Sequence, residues 1–357
     1  MMRRALAGLL MAATLALGTR AEAEDYREIT RRFATEHGFN GVVLVGRGRH
    51  VEDVQTFGLA DAEAHVPVTP RTRFEVGSIS KWVASIVVLK LVDQGKLSLD
   101  APITTYLPDY RADTGAQLTL RRLMSHSSGV PNQIIAAHKA DPSIGRVELE
   151  QMEAVRRYAS GDLAFQPGEA WDYSHSNWII VKALVERVSG KSYAVLVRDF
   201  LTRPLGLKHS GIHSGDLSKV PDMARGYARL TPTPERKVSP TPDFMAMAGG
   251  YSTTAEDLLK LMDGVLDGKV LTPASREALM TVLVPEQHYA LGGRTRLEKI
   301  AGAERRVAWE SGSTGGFRVL ARRVLADGHT VIVMSNTSFD QAKLGELGDT
   351  LLPATYP

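Results

Sequence analysis

The chain has 357 residues, of which 43% are hydrophobic and 23% are charged. This composition is that of a globular protein and excludes extended disorder, and the length favours two lobes over one small domain. The sequence contains no cysteine, which excludes disulfides, thiolate zinc sites and a cysteine nucleophile. Lys and Arg number 43 against 40 Asp and Glu, without a long basic run, so we expect no nucleic-acid partner.

The first 23 residues have the pattern of a secretory signal peptide. Arg3 and Arg4 precede an apolar stretch at 5–18, and Ala21-Glu-Ala23 matches a cleavage site. We therefore predict export, most simply into a bacterial periplasm; the alternative is an uncleaved membrane anchor. No later apolar stretch reaches membrane length, so we expect no stable membrane span after cleavage.

Apolar periodicity and turn residues predict strands near both chain ends and helices between them. The predicted helices cover 25–37, 80–94, 179–188, 255–266 and 273–283, and the predicted strands cover 41–45, 51–59, 307–310, 317–323 and 330–334. A Pro- and Thr-rich segment at 231–242 is a candidate lobe boundary. We expect an α/β fold in which 24–105 and 245–357 form an antiparallel sheet flanked by helices, with a helical lobe at 106–244 inserted.

The strongest chemical signal is Ser78-Ile-Ser-Lys81 at the start of a predicted helix. Residues three apart on a helix share a face, so the lysine amine can reach the serine hydroxyl. If burial lowers its pKa, that amine can take the serine proton, and the helix N-terminus adds N–H groups beside a developing oxyanion. Such a pair also arises by chance, so it is a weak signal alone.

Other motifs surround this pair in a fixed order. They are Phe74-Glu-Val-Gly77, Leu123-Met-Ser-His-Ser-Ser-Gly-Val-Pro131, Asp172-Tyr-Ser-His-Ser-Asn-Trp178, Ala248-Gly-Gly-Tyr251 and Glu310-Ser-Gly-Ser-Thr-Gly-Gly-Phe317. Together they resemble the penicillin-recognising serine hydrolases, a family that includes class C β-lactamases, D-alanyl-D-alanine carboxypeptidases and family VIII-type esterases. The resemblance implies a β-lactamase/transpeptidase-like fold.

The resemblance also implies roles for individual residues. Ser78 matches the nucleophile that becomes acylated, and Lys81 matches the partner that shares its proton. Tyr173 matches the tyrosine of the second motif, and a phenol near a lysine cation would ionise more easily and act as base and acid. The backbone N–H groups of Ser78 and Ser313 would form the oxyanion hole. Acyl transfer to the serine is then followed by hydrolysis, and no metal or organic cofactor is implied.

Two positions depart from the family pattern. His175 stands where the second motif usually has Asn, and we expect an imidazole there that titrates near neutrality. Glu310 stands where the third motif usually begins with Lys or His. From this alignment we predict substrate-binding roles for His175, Asn177, Glu310, Ser311 and Gly312.

The carboxylate at position 310 suggests a substrate class. A like charge about 4 Å away costs a few kcal/mol at an effective dielectric constant of about 20. We therefore expect a substrate that lacks a carboxylate at this place or is cationic, which favours an ester or D-aminoacyl amide over a penicillin. A pair between Glu310 and Arg318, or between Glu310 and Lys81 or another arginine, would change this expectation.

Two rival functions stay open at this point. One is a β-lactamase or D-alanyl-D-alanine carboxypeptidase proper, and the other is a catalytically degenerate protein that binds peptidoglycan fragments. The partner in each case is a small-molecule or peptidoglycan-derived substrate. We expect a structural role for His126, and no metal at His209 and His213, because their helical spacing lacks a third ligand.

Overall fold

The protein is described here by a computed structural model that covers residues 25–215, 217–268 and 270–356. The predicted signal peptide lies outside the described residues. Within them, no helix is long and apolar enough to cross a membrane.

The described chain contains strands and helices along its whole length. The strands are β1 Gly41–Arg47, β2 His50–Phe57, β3 Leu59–Asp61, β4 Val66–Pro67, β5 Phe74–Glu75, β6 Gly211–Ile212, β7 Tyr227–Arg229, β8 Glu235–Arg236, β9 Tyr251–Thr253, β10 Arg294–Ile300, β11 Ala303–Thr314, β12 Phe317–Val324 and β13 His329–Ser335. The α-helices are α1 Tyr26–His37, α2 Ile79–Asp93, α3 Ala112–Gly115, α4 Leu120–Met124, α5 Gln133–Ala140, α6 Gln151–Tyr158, α7 Ser176–Ser189, α8 Tyr193–Val197, α9 Arg203–Leu205, α10 Ala246–Gly249, α11 Ala255–Leu266, α12 Pro273–Met280 and α13 Gln341–Ala354.

The main sheet joins the two ends of the chain. Its six strands lie in the order β10-β11-β12-β13-β1-β2, and all neighbours are antiparallel. The N-terminal β1 lies beside the C-terminal β13, with Val43 opposite Val333. Both strands are apolar along nearly their whole length because helices cover both faces of the sheet. The predicted antiparallel sheet flanked by helices is confirmed.

The two faces of this sheet bury different cores. Side chains alternate along each strand, so Val43 and Val333 pack in the cluster formed with α1 and α13. Val42 and Met334 point to the opposite face and join the larger cluster that includes α2, α7 and α11. The helices that carry the candidate site therefore lie on this second face.

Helix α2 lies at the centre of that larger core. It is apolar on every side and nearly all of its residues are buried, as expected for a helix enclosed by other elements. It ends ahead of Gly95, whose φ of 69° favours glycine, and α7 ends in the same way at Gly190. The residues that immediately precede α2 and α7 are Ser78 and His175, so the start of each helix faces the cleft described below.

Most predicted elements are present, with boundaries shifted by a few residues. The strand β10 is a difference: its sequence, Arg294-Thr-Arg-Leu-Glu-Lys-Ile300, alternates but is too charged to satisfy an apolar strand pattern. It forms because it pairs with β11 along its full length. The predicted lobe boundaries at 105/106 and 244/245 stay a prediction.

Candidate active site

The serine and lysine of the first motif lie one helical turn apart. Ser78 caps the N-terminus of α2 and is half-buried, whereas the Lys81 side chain is completely buried. Lys81 Nζ lies 3.1 Å from Ser78 Oγ and donates a second hydrogen bond of 2.8 Å to the carbonyl oxygen of Ala248. The predicted contact between amine and hydroxyl is therefore present.

The surroundings of Lys81 favour its neutral form. Burial lowers the pKa of the amine from 10.5 to about 7. The carboxylate of Glu310 opposes this change, and the guanidinium of Arg294 adds to it. A substantial fraction of the amine is thus unprotonated near neutral pH and able to accept a proton from Ser78.

Tyr173 also forms a hydrogen bond with the hydroxyl of Ser78. Its phenol donates a hydrogen bond of 2.9 Å to Ser78 Oγ, and its ring centroid lies 5.0 Å from Lys81 Nζ. Burial, and secondarily the charge of Glu310, raises the pKa of the phenol above its ordinary value. The expectation that this phenol ionises easily is wrong for the resting site, because burial outweighs the nearby cation.

Two glycines allow the loop before α2 to press against β11. A Cβ on Gly77, where φ is +50°, would lie 2.7 Å from the backbone nitrogen of Ser313. A Cβ on Gly312 would overlap the carbonyl oxygen of Val76 and lie 3.4 Å from the nitrogen of Ser78. The backbones at Ser78 and Ser313 are thereby held side by side, which is the placement that a two-donor oxyanion hole requires.

His175 lies in the wall of the cleft, but it does not titrate as expected. Its backbone N–H donates to Asn132 Oδ1 at 3.0 Å, and its Nδ1 lies 3.3 Å from Asn132 Nδ2. Burial, together with the charge of Lys81, lowers the pKa of the imidazole from 6.5 to about 3. The prediction of a group that titrates near neutrality is wrong, and the ring is neutral at physiological pH.

Asn177 does not contact the cleft. The side chain is completely buried; its Oδ1 accepts a 2.8 Å hydrogen bond from Ser128 Oγ, and its Nδ2 lies 3.3 Å from His126 Nδ1. The predicted substrate contact is wrong, because Asn177 instead ties α7 to the segment after α4. His126 is also buried, and its ring stacks on Tyr173 with centroids 4.3 Å apart, as expected for a structural residue.

Glu310 also lies away from the cleft. Its side chain is buried on the face of β11 toward α2, and its Oε1 accepts a 2.7 Å hydrogen bond from Arg294 Nη1. Of the suggested partners, a different arginine is confirmed, because Arg294 pairs with Glu310. The suggested pairs with Arg318 and Lys81 are wrong: Arg318 donates to the carbonyl of Phe317, and Lys81 donates to Ser78 and to the carbonyl of Ala248. Glu310 therefore does not repel a substrate carboxylate as expected, because Arg294 neutralises it behind the site.

Ser311 and Gly312, the next two residues of the third motif, do not line the cleft either. Ser311 lies opposite Leu320, so its side chain belongs to the sheet face that packs against α13, and its N–H donates to Glu310 at 2.9 Å. Of the five predicted substrate-binding residues, the structure brings only His175 to the cleft wall.

The cleft in front of Ser78 is a cavity of about 200 Å³. One wall is apolar and contains Ile134, Ile135, Ile144 and Met245. Hydroxyl groups and backbone complete it, from residues that include Ser239, Thr241, Ser313 and Thr314. Among the described residues that line it, none is Lys, Arg, Asp or Glu. The cleft therefore suits an uncharged, partly apolar group.

An adjoining cavity of about 380 Å³ is lined by residues that include charged ones. It shares Gly145, Ser239 and Pro240 with the cleft. Charges of both signs line it, including those of Glu75, Glu148, Arg146, Arg236 and Lys237. Across the described ranges, no group of three or more His, Asp or Glu side chains is placed to hold a metal ion.

Three residues that shape the site could not be identified from the sequence. Arg294 neutralises Glu310, Asn132 fixes the backbone before α7, and Tyr289 packs against His126 with ring centroids 5.2 Å apart. The one sequence signal for this region was the pair of glycines immediately before Arg294. These glycines allow a turn to approach α2 closely, but nothing in their spacing identifies the partner of the arginine.

Comparison with known proteins agrees with this geometry. The sequence model of the beta-lactamase family, "Beta-lactamase", matches residues 26–351. The putative penicillin-binding protein PbpX of Bacillus subtilis (strain 168) is 27% identical over 332 residues, which cover 92% of this chain and 78% of PbpX. Esterase EstB of Burkholderia gladioli is 33% identical over 186 residues, which cover 49% of this chain and 47% of EstB.

Solved structures show the same fold. The D-amino acid amidase from Ochrobactrum anthropi SV3 superposes with a TM-score of 0.76 at 20% identity, covering 92% of this chain and 97% of the amidase. A class C beta-lactamase superposes with a TM-score of 0.74 at 19% identity, covering 92% and 94% of the two chains. The match over nearly the whole described chain shows that this protein belongs to the beta-lactamase family of serine hydrolases.

Proposed function

We propose that this protein forms an acyl-enzyme on Ser78 and hydrolyses an ester or an amide, including D-aminoacyl amides, whose group at the reacting centre is uncharged. One observation carries the proposal. Ser78 Oγ lies within hydrogen-bond distance of both Lys81 Nζ and Tyr173 Oη at the edge of a cleft without a charged lining residue. A nucleophilic hydroxyl, an amine that can accept its proton and a phenol that donates a hydrogen bond to it therefore lie in direct contact.

The reaction proceeds in two acyl-transfer steps. Ser78 Oγ attacks the carbonyl carbon and its proton passes to the neutral amine of Lys81, while the backbone N–H groups of Ser78 and Ser313 hold the oxyanion. Collapse of the tetrahedral intermediate breaks the bond to the leaving group, which takes a proton from Lys81 through the Tyr173 hydroxyl. Water then attacks the acyl-enzyme by the same proton path in reverse and releases the acid and Ser78.

The cleft supports an uncharged substrate better than a penicillin. A carboxylate placed in it would meet neither Lys nor Arg among the described lining residues, and an unpaired buried charge is costly. Among the relatives, one is named an esterase and one a D-amino acid amidase. The second candidate is a β-lactamase or D-alanyl-D-alanine carboxypeptidase, which the class C beta-lactamase fold favours.

A degenerate binding protein is the third candidate. It would retain the cleft without an activated serine, and the hydrogen bonds of Lys81 and Tyr173 to Ser78 argue against it.

Export to a periplasm, where the substrate would be a small molecule or a peptidoglycan fragment, is part of this proposal and rests on the sequence of residues 1–23. The helical lobe at 106–244 is proposed as the side of the cleft that carries Tyr173 and α5.

Labelling of the serine tests the proposal. We expect a fluorophosphonate to add one equivalent to the purified protein by intact mass, and Ser78→Ala to lose this adduct. Ser98→Ala, at an exposed serine beyond α2, is the control and should label like the wild type. A wild-type protein that takes no label would support the binding-protein reading, and a long-lived penicillin adduct would support a penicillin-binding carboxypeptidase.

A further inference from the structure

A buried ion pair lies directly behind the reacting groups. Arg294 Nη1 is 2.7 Å from Glu310 Oε1, and the exposed fractions of the two side chains are 17% and 9%. The same carboxylate oxygen accepts a hydrogen bond of 2.9 Å from the backbone N–H of Ser311. The pair joins the first residue of β10 to the third motif on β11, so it is fixed by the sheet itself.

The turn before β10 holds this pair against helix α2. A Cβ on Gly292 would lie 2.6 Å from the carbonyl oxygen of Lys81, and a Cβ on Gly293 would lie 2.7 Å from the indole Cδ1 of Trp82. Only glycines permit this approach, and Arg294 follows immediately. The guanidinium is therefore placed beside the turn of α2 that carries the lysine.

Aromatic rings continue the contact to the catalytic tyrosine. Arg294 Cζ lies 4.9 Å from the ring centroid of Tyr289 and 5.0 Å from that of Trp309. The ring of Tyr289 lies edge-on to Tyr173, with centroids 6.4 Å apart. The pair is thus one ring away from the group that hydrogen-bonds Ser78.

We propose that Arg294 is a positioning residue: its guanidinium offsets the carboxylate of Glu310 beside Lys81, so that the amine can take the proton of Ser78, and neither member of the pair touches the substrate. The inference rests on the proposed function, since it assigns the pair to proton transfer from Ser78. Neither side chain lines the cleft, which excludes a direct substrate contact. The two charges oppose one another, so the lysine experiences a nearly neutral pair in place of a bare carboxylate.

The electrostatic directions support this role. Glu310 raises the pKa of Lys81 and Arg294 lowers it, on top of the larger effect of burial. The other titratable groups around the lysine are the phenols of Tyr173 and Tyr289 and the imidazoles of His126 and His175, and loss of solvent around them shifts each pKa toward the uncharged form. The ion pair is therefore the adjustable charge beside Lys81.

Single substitutions in the pair should move the pH profile in opposite directions. Glu310→Gln removes the charge that stabilises the lysine cation, so the rising limb of the activity profile should shift to lower pH by about one unit. Arg294→Gln leaves the carboxylate uncompensated, so the same limb should shift to higher pH. The double variant Arg294→Gln/Glu310→Gln should return close to the wild-type profile, as expected for two coupled residues.

The measurement is the second-order rate constant of fluorophosphonate labelling at Ser78, together with kcat/KM for a neutral p-nitrophenyl ester, from about pH 5 to about pH 9. Arg296→Gln is the matched control. It removes an arginine on the same strand, which pairs with Glu298 at 2.9 Å and lies 5.4 Å from the Trp309 ring. It should leave the limb of the profile in place.

Opposite shifts in the two single variants support the inference. Shifts in the same direction, or no shift in Glu310→Gln, overturn it, because a merely structural pair would lower activity without moving the limb. If Arg294→Gln does not fold, since it strands a buried carboxylate, the isosteric Glu310→Gln decides alone. A wild-type protein that does not label at Ser78 refutes the proposed function, whereas labelling with unmoved profiles refutes only the role of the pair.

Discussion

The two sides of Ser78 differ in charge. In front of Ser78, the cleft is lined by apolar side chains, hydroxyls and the imidazoles of His138 and His175. Behind it, beyond Lys81, a guanidinium and a carboxylate form a buried pair. The strand β11 serves both sides, since the backbone of Ser313 lies at the cleft and the side chain of Glu310 faces α2.

This difference separates substrate choice from proton transfer. A charge in the cleft would act on the substrate, whereas a charge behind the lysine would act on the amine that we propose as the acceptor of the serine proton. The third motif of this chain therefore carries a carboxylate without imposing that charge on the substrate. Substitutions on the two sides should change different observables.

The largest effect is expected at Lys81. Lys81→Met removes the proton acceptor and should lower kcat/KM by about 10³-fold. The same change should raise the melting temperature, because a buried cation is replaced by an apolar side chain. Lys90→Met, at a lysine on the same helix that donates to the carbonyl of Val270, is the control and should retain activity. Activity that survives in Lys81→Met would contradict the assigned proton path.

The stability difference between Lys81→Met and the wild type should depend on pH. The folded-state pKa of Lys81 is lowered to about 7 from 10.5. Between these values the unfolded chain binds a proton that the folded protein does not, so wild-type stability rises with pH. The melting-temperature gap should be largest below about pH 7 and narrow above it. A gap that does not change with pH would contradict a buried, shifted lysine.

An intermediate effect is expected when a cation is placed in the cleft. Thr314 lines the cleft beside Ser313. Thr314→Arg should raise kcat/KM for a carboxylate-bearing ester about tenfold relative to a matched neutral ester, and added salt should weaken this gain. Thr314→Gln adds a similar polar group without charge and should leave the ratio unchanged. Equal ratios in both variants would show that this wall does not select substrate charge.

The smallest effect is expected at His175. His175→Asn replaces a neutral imidazole with the residue usual in the family, so kcat/KM should change by less than about tenfold. The pH profile should keep its limb near pH 7, because the pKa of His175 is lowered to about 3 and that of Lys81 to about 7. Loss of the limb in His175→Asn, with His138→Asn as the cleft-wall comparison, would assign the titration to the histidine.

The sequence was sufficient to predict the elements that follow local rules. The helix predicted at 80–94 is present as Ile79–Asp93, an apolar run that ends ahead of Gly95. The helix predicted at 255–266 is present as Ala255–Leu266, which apolar spacing and the capping residue Thr254 mark. The contact of Ser78 with Lys81 follows from helical geometry alone. Its contact with Tyr173 could be inferred only from the resemblance to a family.

The errors concern burial and partners distant in the chain. The intrinsic pKa of histidine predicts titration near neutrality, but His175 is enclosed between Tyr173 and Asn132 in the fold. The charge of Glu310 is evident from the sequence, but its partner Arg294 is not. Arg294 begins β10, a strand too charged to be predicted from an apolar pattern. The pairing of Arg294 with Glu310 depends on the register between β10 and β11, and no local sequence pattern specifies that register.

The most direct test of the account is rapid-quench intact mass during hydrolysis of a neutral p-nitrophenyl ester. We predict an initial burst of about one mole of p-nitrophenol per mole of enzyme and an acyl adduct mapped to Ser78. The adduct should disappear once the ester is consumed. An adduct on another residue, or steady ester hydrolysis that survives in Ser78→Ala, would contradict the central claim that this serine carries the acyl group.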